Sequence, residues 1–313
     1  MSRAERVERS LLEFFAAPSN GATAGIFRLG FGLLACWQCV GVWLNLHRYW
    51  GDDGLVPFRI VANDAYIWMS PFAWAPQSEL VLVAHGVAIS VASVAFLLGV
   101  FPRAASLLLA FVHLSLQFRN PYILNSGDRL FMILAALAAL MPLGHRYSLE
   151  AWWRGRRGLG PREPSVLWGN RLVQLQIAYV YAAAFVSKIP NERWYKGMAL
   201  REVLASPVFA EFPTYIDSRP LLWALAYGTL LFELAFPLAI WWRRYRPWLI
   251  ASGVAFHVGI DLSMVIPIFS ATMILSYIAF LDDDETEKLV GWLTWWRRRR
   301  PSAVEAKAEA QAS

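Results

Sequence analysis

The chain has 313 residues, of which 57% are hydrophobic and only 17% are charged, and its formal net charge is +6. A soluble globule of this size needs more polar residues to cover its surface, so the composition excludes an ordinary soluble protein and predicts an integral membrane protein. The basic residues lie in short clusters that flank apolar runs, which is typical of a protein that fixes its orientation in a membrane and not of one that binds nucleic acid.

The first 22 residues alternate charged with apolar side chains. They contain no continuous apolar core of the length found in a cleavable signal. We therefore predict an interfacial amphipathic helix over residues 1–22, with Leu11, Leu12, Phe14 and Phe15 on its apolar face. The apolar run that follows is expected to stay in the membrane.

Apolar runs then recur between residues 23 and 282, and a helix needs roughly 20 residues to cross a bilayer. We predict an all-α fold, a polytopic integral membrane helical bundle with about eight transmembrane helices. The expected helices are Thr23–Leu46, Leu80–Val100, Ala104–Phe118, Arg129–Leu143, Val166–Lys188, Leu221–Trp242, Trp248–Val265 and Pro267–Leu281. The third, fourth and eighth are short, so roughly six to nine crossings are compatible with the pattern.

The loop charges predict the orientation of this bundle. With the N-terminus inside, the basic clusters Arg154–Arg162, Arg243–Arg246 and Arg297–Arg300 all lie on the cytoplasmic side, and the outer loops carry fewer Lys and Arg residues. This asymmetry predicts a protein of the cell (inner) membrane with both termini in the cytoplasm. It also places Lys188 at the outer end of the fifth helix.

Two outer loops, His47–Glu79 and Ile189–Pro220, are long and rich in aromatic residues and prolines. We interpret them as caps over the outer mouth of the bundle. At the other terminus, residues 283–300 are predicted to form an interfacial helix, followed by a disordered tail over residues 301–313.

Lys188 lies where a long apolar segment meets the aromatic stretch Pro190–Tyr195. A lysine at such a boundary can extend its ammonium to the membrane surface or form a structural ion pair. A desolvated lysine also loses its proton readily, which is how lysines become catalytic bases. The sequence leaves these three alternatives open.

Other ionisable residues lie within the apolar runs, where each is costly and is a functional-site hypothesis by default. Arg28 is close enough to the cytoplasmic surface to reach it. Glu233 lies in the middle of the sixth helix and needs a partner or a proton. His257 and Asp261 are four residues apart and share a helix face, so they are either a structural pair or part of a substrate or proton path.

The polar segment Gln117–Arg129 joins the third and fourth helices on the outer side. It predicts either a polar floor to an outward-facing cavity or an ordinary turn. Cys36 and Cys39 have the spacing of a redox pair, but their position in the middle of a helix argues against that role. The five histidines are scattered, and no metal site is expected.

The run Gln174–Lys188, followed by Trp194-Tyr195-Lys196-Gly197, resembles the signature of the vitamin K-dependent gamma-carboxylase family and its bacterial relatives, the HTTM (horizontally transferred transmembrane) domain proteins. Four further stretches are similar in order and spacing: Ile26–Gly32, Tyr49–Pro57, Arg119–Arg129, and Phe232–Pro237 with Phe256-His257. The resemblance covers residues 20–282, and we expect the transmembrane domain at residues 23–282.

In the carboxylase, a lysine deprotonates a reduced quinone, oxygen turns the quinol into a strong base, and that base removes a γ proton from a glutamate before carbon dioxide adds. Lys188 matches the lysine, and the resemblance implies Lys188 and His257 as catalytic residues. It implies a site for a vitamin K-like hydroquinone formed by Asn125, Asp128, Tyr181, Trp194, Glu233 and Asp261. Where the carboxylase has a histidine before its fourth helix, this chain has Asn125-Ser126-Gly127-Asp128.

The resemblance thus implies a membrane-embedded, carboxylase-like enzyme that acts at the outer face on a small substrate or a secreted peptide. Its expected partners are membrane lipid and that peptide, with no nucleic acid and no metal. The alternative is a non-enzymatic accessory, maturation or immunity factor for a secreted peptide. An enzyme is favoured if Lys188, Asn125, Asp128, Glu233 and His257 line one cavity, and a scaffold is favoured if they face different neighbours.

Overall fold

In the computed structural model the described residues are 3–63, 67–74, 78–123, 125–208, 213–266 and 268–298. They are almost entirely helical. The sheet among them is one short antiparallel pair, β1 (Pro18–Ser19) with β2 (Ser165–Val166). The predicted all-α fold is confirmed.

The α-helices of the described residues, in chain order, are α1 (Arg3–Ala16), α2 (Ala22–Trp50), α3 (Phe58–Val61), α4 (Glu79–Leu98), α5 (Pro102–Arg119), α6 (Ser126–Ala138), α7 (Leu149–Arg156), α8 (Trp168–Lys188), α9 (Glu192–Tyr195), α10 (Met198–Ala205), α11 (Arg219–Ala239), α12 (Arg246–Ser263), α13 (Phe269–Ser276) and α14 (Asp283–Arg298). Short 3-10 turns lie at Ile67–Met69, Pro71–Ala73, Pro121–Ile123 and Tyr277–Phe280.

Each apolar run that predicted a membrane helix coincides with a helix in the described residues, and Pro267 of the last run lies outside them. Within the described part of the chain, α2, α4 and α11 are long and apolar enough to cross a membrane. Helices α8 and α12 reach similar lengths, but polar residues such as Gln174 and His257 lower their mean hydropathy. The full count of about eight crossings therefore stays a prediction.

The core of the bundle extends over most of its helices and contains an aromatic stack between α2 and α6. Phe27 stacks on Phe31 with 4.6 Å between ring centroids, and Phe31 stacks on Phe131 at 5.3 Å. A side chain at Gly32 would bring its Cβ within 2.6 Å of the Leu97 backbone. Glycine at this position therefore allows the close approach of α2 to α4, as small residues do between membrane helices.

At one end of the bundle, Asp283 ties the start of α14 to the start of α2. Its Oδ1 accepts a hydrogen bond from the Thr23 N–H at 2.9 Å, and its Oδ2 accepts from the Ser19 hydroxyl and the Asn20 N–H, both at 2.8 Å. Burial disfavours the charged carboxylate, but these hydrogen bonds outweigh burial and hold the pKa of Asp283 below its usual range. We call this the Asp283 end of the bundle.

Arg28 lies near the Asp283 end and is fully buried. Its guanidinium donates to the carbonyl oxygen of Phe96 at 2.9 Å and to those of Leu97 and Tyr147. Two of these carbonyls belong to the last turn of α4, where the carbonyl oxygens of a helix have no N–H partner from a following turn; the Phe96 oxygen also accepts from the N–H of Gly99, which follows the helix. The prediction that Arg28 extends to the membrane surface was wrong, because these carbonyl oxygens lie within its reach inside the bundle.

The opposite end, which we call the Lys188 end, holds a second buried arginine. Arg119, at the end of α5, donates to the carbonyl oxygens of Val56 at 3.0 Å and Gly51 at 3.3 Å. The Trp50 indole donates to the Leu116 carbonyl at 3.0 Å. Arg119 therefore holds the segment after α2 against the end of α5.

The predicted terminal and loop features are only partly described. Helices α1 and α14 lie within the regions 1–22 and 283–300 that were predicted as interfacial helices, whereas the predicted tail 301–313 lies outside the described residues. The two predicted cap loops contain α3, the 3-10 turns after it, α9 and α10. Tyr66, Phe209 and Phe212 of these loops lie outside the described residues, and the capping role stays a prediction.

Candidate functional site

The centre of the candidate site is an ion pair between α8 and α11. The Lys188 Nζ lies 2.7 Å from Glu233 Oε1 and 3.3 Å from the carbonyl oxygen of Ala184. The side chains of Lys188 and Glu233 are 16% and 6% exposed. Antiparallel packing of α8 against α11 therefore places the last residue of one helix beside the middle of the other.

Trp194 covers this ion pair. Its ring centroid lies 4.8 Å from the Lys188 Nζ, a distance at which the ammonium is attracted to the aromatic face. The Tyr195 hydroxyl donates a hydrogen bond to the Ile189 carbonyl at 2.7 Å. This bond closes the turn between α8 and α9 and fixes the segment that carries Trp194. The second carboxylate oxygen of Glu233, Oε2, is buried and has no hydrogen-bond partner among the described residues. It is a free acceptor next to the lysine.

A second buried polar group lies deeper along the same face of α8. Tyr181 precedes Lys188 by seven residues, which places the two side chains on one face. The Tyr181 hydroxyl lies 2.7 Å from His257 Nε2 on α12 and also forms a hydrogen bond with the Tyr277 hydroxyl. All three side chains are almost fully buried.

The other ring nitrogen of His257, Nδ1, is buried without a hydrogen-bond partner in the described part of the chain. Phe232 and Phe236, on either side of Glu233 along α11, pack against the Tyr181 ring at centroid distances of 5.2 and 4.4 Å. The ion pair between α8 and α11 and the Tyr181–His257–Tyr277 group, which joins α8 to α12 and to the 3-10 turn after α13, thus lie one below the other along one face of α8; we call the two together the polar layer.

Asp261 does not belong to this layer. It is one turn beyond His257, near the end of α12, and it is exposed, whereas His257 is buried. The prediction that the two residues form a pair was therefore wrong, because His257 takes its partner from α8. A role for Asp261 in binding a cofactor is not supported by any contact with the other candidate residues.

Asn125 and Asp128 lie at the start of α6 and form a capping box. The Asn125 Oδ1 accepts from the backbone N–H groups of Gly127 at 2.7 Å and Asp128 at 3.1 Å, and its Nδ2 donates to Asp128 Oδ2 at 2.9 Å. This motif is a general way to satisfy the free N–H groups at a helix start. A structural explanation is thus sufficient for both residues, although both also face a cavity.

That cavity has a volume of about 430 Å³ and lies between α2, α5 and α6 at the Lys188 end. Its walls include the aromatic rings of Trp37, Tyr49 and Trp50 and the polar side chains of Gln38, Asn45, Gln117, Asn125 and Asp128. The Gln38 Oε1 is buried and has no hydrogen-bond partner within the described residues. A mostly apolar cavity with a few polar lining residues is typical of a site for a small organic ligand.

The cavity and the polar layer are separated by the start of α13. Ile268 lines the cavity, and the next residue, Phe269, packs against His257 with 5.5 Å between ring centroids. Ile268 has a φ of 71°, which is strained for a β-branched residue. The candidate residues therefore form two neighbouring groups, Asn125 with Asp128 and the Lys188 layer, and do not line one cavity.

Sequence reasoning missed Tyr277 and Gln38. The available signal was that a tyrosine hydroxyl in an apolar run needs a hydrogen-bond partner when it is buried. The same holds for the amide of Gln38 in the first apolar run. In the described residues, no group of three or more His, Cys, Asp and Glu side chains is placed to hold a metal ion.

Comparison with known proteins identifies a family. The family model of the HTTM domain matches residues 16–284. No curated protein and no solved structure gives a significant match.

Proposed function

The chain belongs to the HTTM domain family and is a membrane protein, and from this membership and the geometry around Lys188 we propose that it is a carboxylase-like enzyme. In this proposal a reduced quinone binds at the Lys188 end and Lys188 acts as the base. The substrate is a peptide or a small molecule. The observation that carries the proposal is the enclosed Lys188–Glu233 pair.

The pair allows Lys188 to become neutral without losing its proton to water. Because the Nζ and Oε1 atoms are 2.7 Å apart and shielded, transfer of one proton converts two buried charges into a neutral amine and a carboxylic acid. Low dielectric surroundings favour that neutral form relative to water. The lone pair of the amine is then available to accept a proton from an acidic hydroxyl.

Trp194 contributes to the same chemistry from the other side. Its ring excludes water from the lysine, and its negative face stabilises the ammonium that forms when Lys188 accepts a proton. Glu233, which holds the first proton as a neutral carboxylic acid, stays a hydrogen-bond partner of that ammonium, and the group that gave up the second proton carries the balancing negative charge. Lys188, Glu233 and Trp194 therefore provide a base, a proton acceptor and a water-excluding cover.

The cavity beside α13 suits a reduced quinone. Two observations support this choice: the cavity walls include the aromatic rings of Trp37, Tyr49 and Trp50, and Gln38 is one of its polar lining residues. A bound reduced quinone would supply the reducing equivalents and the acidic hydroxyl for the reaction. Because Lys188 does not line this cavity, the proposal requires a movement of the quinol or of the wall between them before a quinol hydroxyl reaches the lysine.

The test is turnover by the purified wild-type protein. Several quinols are supplied in the presence of oxygen, and formation of quinone or epoxide is measured together with incorporation of labelled carbon dioxide into a glutamate-containing peptide. Gln38→Leu should raise the KM for the quinol, and Gln176→Leu on α8 is the matched control. A wild type that is inactive with every quinol contradicts the enzyme proposal.

The non-enzymatic alternative is favoured by the separation of the candidate residues, because Lys188, Glu233 and His257 do not line the cavity that Asn125 and Asp128 line. Asn125 and Asp128 are satisfied by each other in a capping box, and the Lys188–Glu233 pair also joins α8 to α11, so both groups have a structural explanation. In that case the protein is an accessory, maturation or immunity factor for a secreted peptide. It would then protect cells that make such a peptide, or help to process the peptide, and the purified protein would oxidise no quinol.

A further inference from the structure

An apolar groove lies at the Asp283 end of the bundle, far along the helices from Lys188. It has a volume of about 540 Å³ and is bounded by α2, the end of α4 and the start of α7. Its walls include Leu29, Leu97, Leu98, Leu149 and Trp152. Leu98 and Leu149 are each more than 40% exposed, so the groove is open to the surroundings of the protein. In a membrane protein those surroundings include acyl chains.

Helix α7 places aromatic and basic side chains at the mouth of this groove. The Arg156 guanidinium lies 5.0 Å from the centroid of Trp152, a wall residue, and the Arg157 guanidinium lies 4.2 Å from the centroid of Trp153. Both tryptophans are more than half exposed. Tryptophan with arginine at one level of a bundle is typical of the boundary between lipid tails and headgroups.

The positive charge at this mouth is not neutralised by the acidic residue of α7. The carboxylate of Glu150 is already engaged, because its Oε2 lies 2.9 Å from an Arg162 nitrogen and its Oε1 accepts from the Phe101 N–H at 3.1 Å. The same contacts fix α7 against the turn between α4 and α5. Arg156, which contacts the wall residue Trp152, and Arg157, the next residue after α7, are therefore exposed cations at the end of a fixed helix.

We propose that this groove binds one anionic phospholipid. An acyl chain lies between the leucine walls, and the phosphate with its negatively charged headgroup meets Arg156 and Arg157. The occupant is identified by charge complementarity, because a zwitterionic lipid offers the same chain without net negative charge. Basic pockets beside membrane helices bind anionic headgroups in this way. The inference is independent of the proposed enzymatic function.

The experiment is lipid retention by the purified full chain. The protein is exchanged into detergent with equal amounts of phosphatidylglycerol and phosphatidylcholine of the same chain length, and bound lipids are counted by native mass spectrometry. The wild type should retain one phosphatidylglycerol in preference to phosphatidylcholine. Each arginine near a headgroup favours an anionic lipid, so the double variant Arg156→Gln/Arg157→Gln should lower that preference by about 10- to 30-fold.

Two further variants distinguish a specific lipid-binding site from general attraction between charges. Arg48→Gln/Arg59→Gln removes the same charge from exposed arginines at the Lys188 end and should leave retention unchanged. Ala151→Phe fills the groove without altering charge and should reduce retention, with circular dichroism confirming that the variant is folded. Equal retention of the two lipids by the wild type would overturn the proposal. So would an Ala151→Phe protein that is folded and retains phosphatidylglycerol as the wild type does.

Discussion

Removing either partner of the Lys188–Glu233 pair should lower the unfolding free energy, by an amount that depends on which charged side chain is left buried. Lys188→Met leaves a carboxylate that is 6% exposed and has no hydrogen-bond partner for either oxygen among the described residues, since Oε2 already lacks one there. Loss of one member of a buried pair typically costs about 3 to 5 kcal/mol. Glu233→Leu should lower the unfolding free energy by about 3 kcal/mol, the lower end of this range, because the Lys188 side chain is 16% exposed and keeps its contact with Trp194.

The double variant Lys188→Met/Glu233→Leu should be more stable than the sum of the single changes predicts. It leaves no buried charge, and replacing a whole buried pair with apolar residues is often close to neutral. Because the coupling is the cost of the double change minus the sum of the two single costs, a near-neutral double variant corresponds to a coupling of about 6 to 8 kcal/mol in magnitude. The assay is denaturant unfolding of the detergent-solubilised protein for all four members of the cycle.

The exposed pair Lys196–Glu192 is the matched control, because its atoms are as close but both side chains lie in solvent. The corresponding cycle, Lys196→Met/Glu192→Leu, should show no measurable coupling. Additive effects at Lys188 and Glu233 would refute the reasoning. They would mean that the pair is hydrated in the membrane and does not provide an enclosed site.

Three further predictions concern the rest of the fold. The folded-state pKa of Asp283 lies below its unfolded value near 3.8. The stabilisation that the Asp283 carboxylate gives is therefore present above that value and is lost as the pH falls through the folded pKa. The difference in unfolding free energy between the wild type and Asp283→Asn should thus shrink below about pH 4. Reporter fusions should place Gly158 in the cytoplasm and Ser206 outside, and an opposite result at Ser206 would remove Lys188 from the outer face. His257→Ala should lower the unfolding free energy by about 1 to 3 kcal/mol, because the change leaves the Tyr181 hydroxyl with one hydrogen-bond partner fewer. Asp261→Ala, at an exposed position, should change the unfolding free energy little. Equal effects of the two variants would show that Asp261 is buried.

The sequence was enough to locate the helices, because membrane helices are long apolar runs, but it placed the ends of the short ones less well: the run Arg129–Leu143 corresponds to α6 at Ser126–Ala138. It also indicated that Glu233 needs a partner and that Lys188 could be in an ion pair. The sequence did not predict that Lys188 and Glu233 are each other's partners, because they are 45 positions apart. Their contact depends on the rotation of α8 against α11, and no local pattern encodes that rotation.

The same limit explains the errors around His257. Spacing of four residues correctly predicts that His257 and Asp261 share a face of α12, but the helix ends at Ser263 and leaves Asp261 exposed. The hydrogen bond to Tyr181 crosses between helices 76 positions apart. Tertiary packing, and not helical periodicity, decides which partner a buried polar side chain finds.

The most direct test of the central claim compares Lys188→Arg with the wild type in oxygen-dependent quinol oxidation. Arginine keeps the positive charge and the ion pair with Glu233 but does not lose its proton, so folding should persist while activity falls to background. Lys196→Arg, the same change on an exposed side chain, should retain full activity. A folded Lys188→Arg protein that oxidises quinol at the wild-type rate would contradict the assignment of Lys188 as the base.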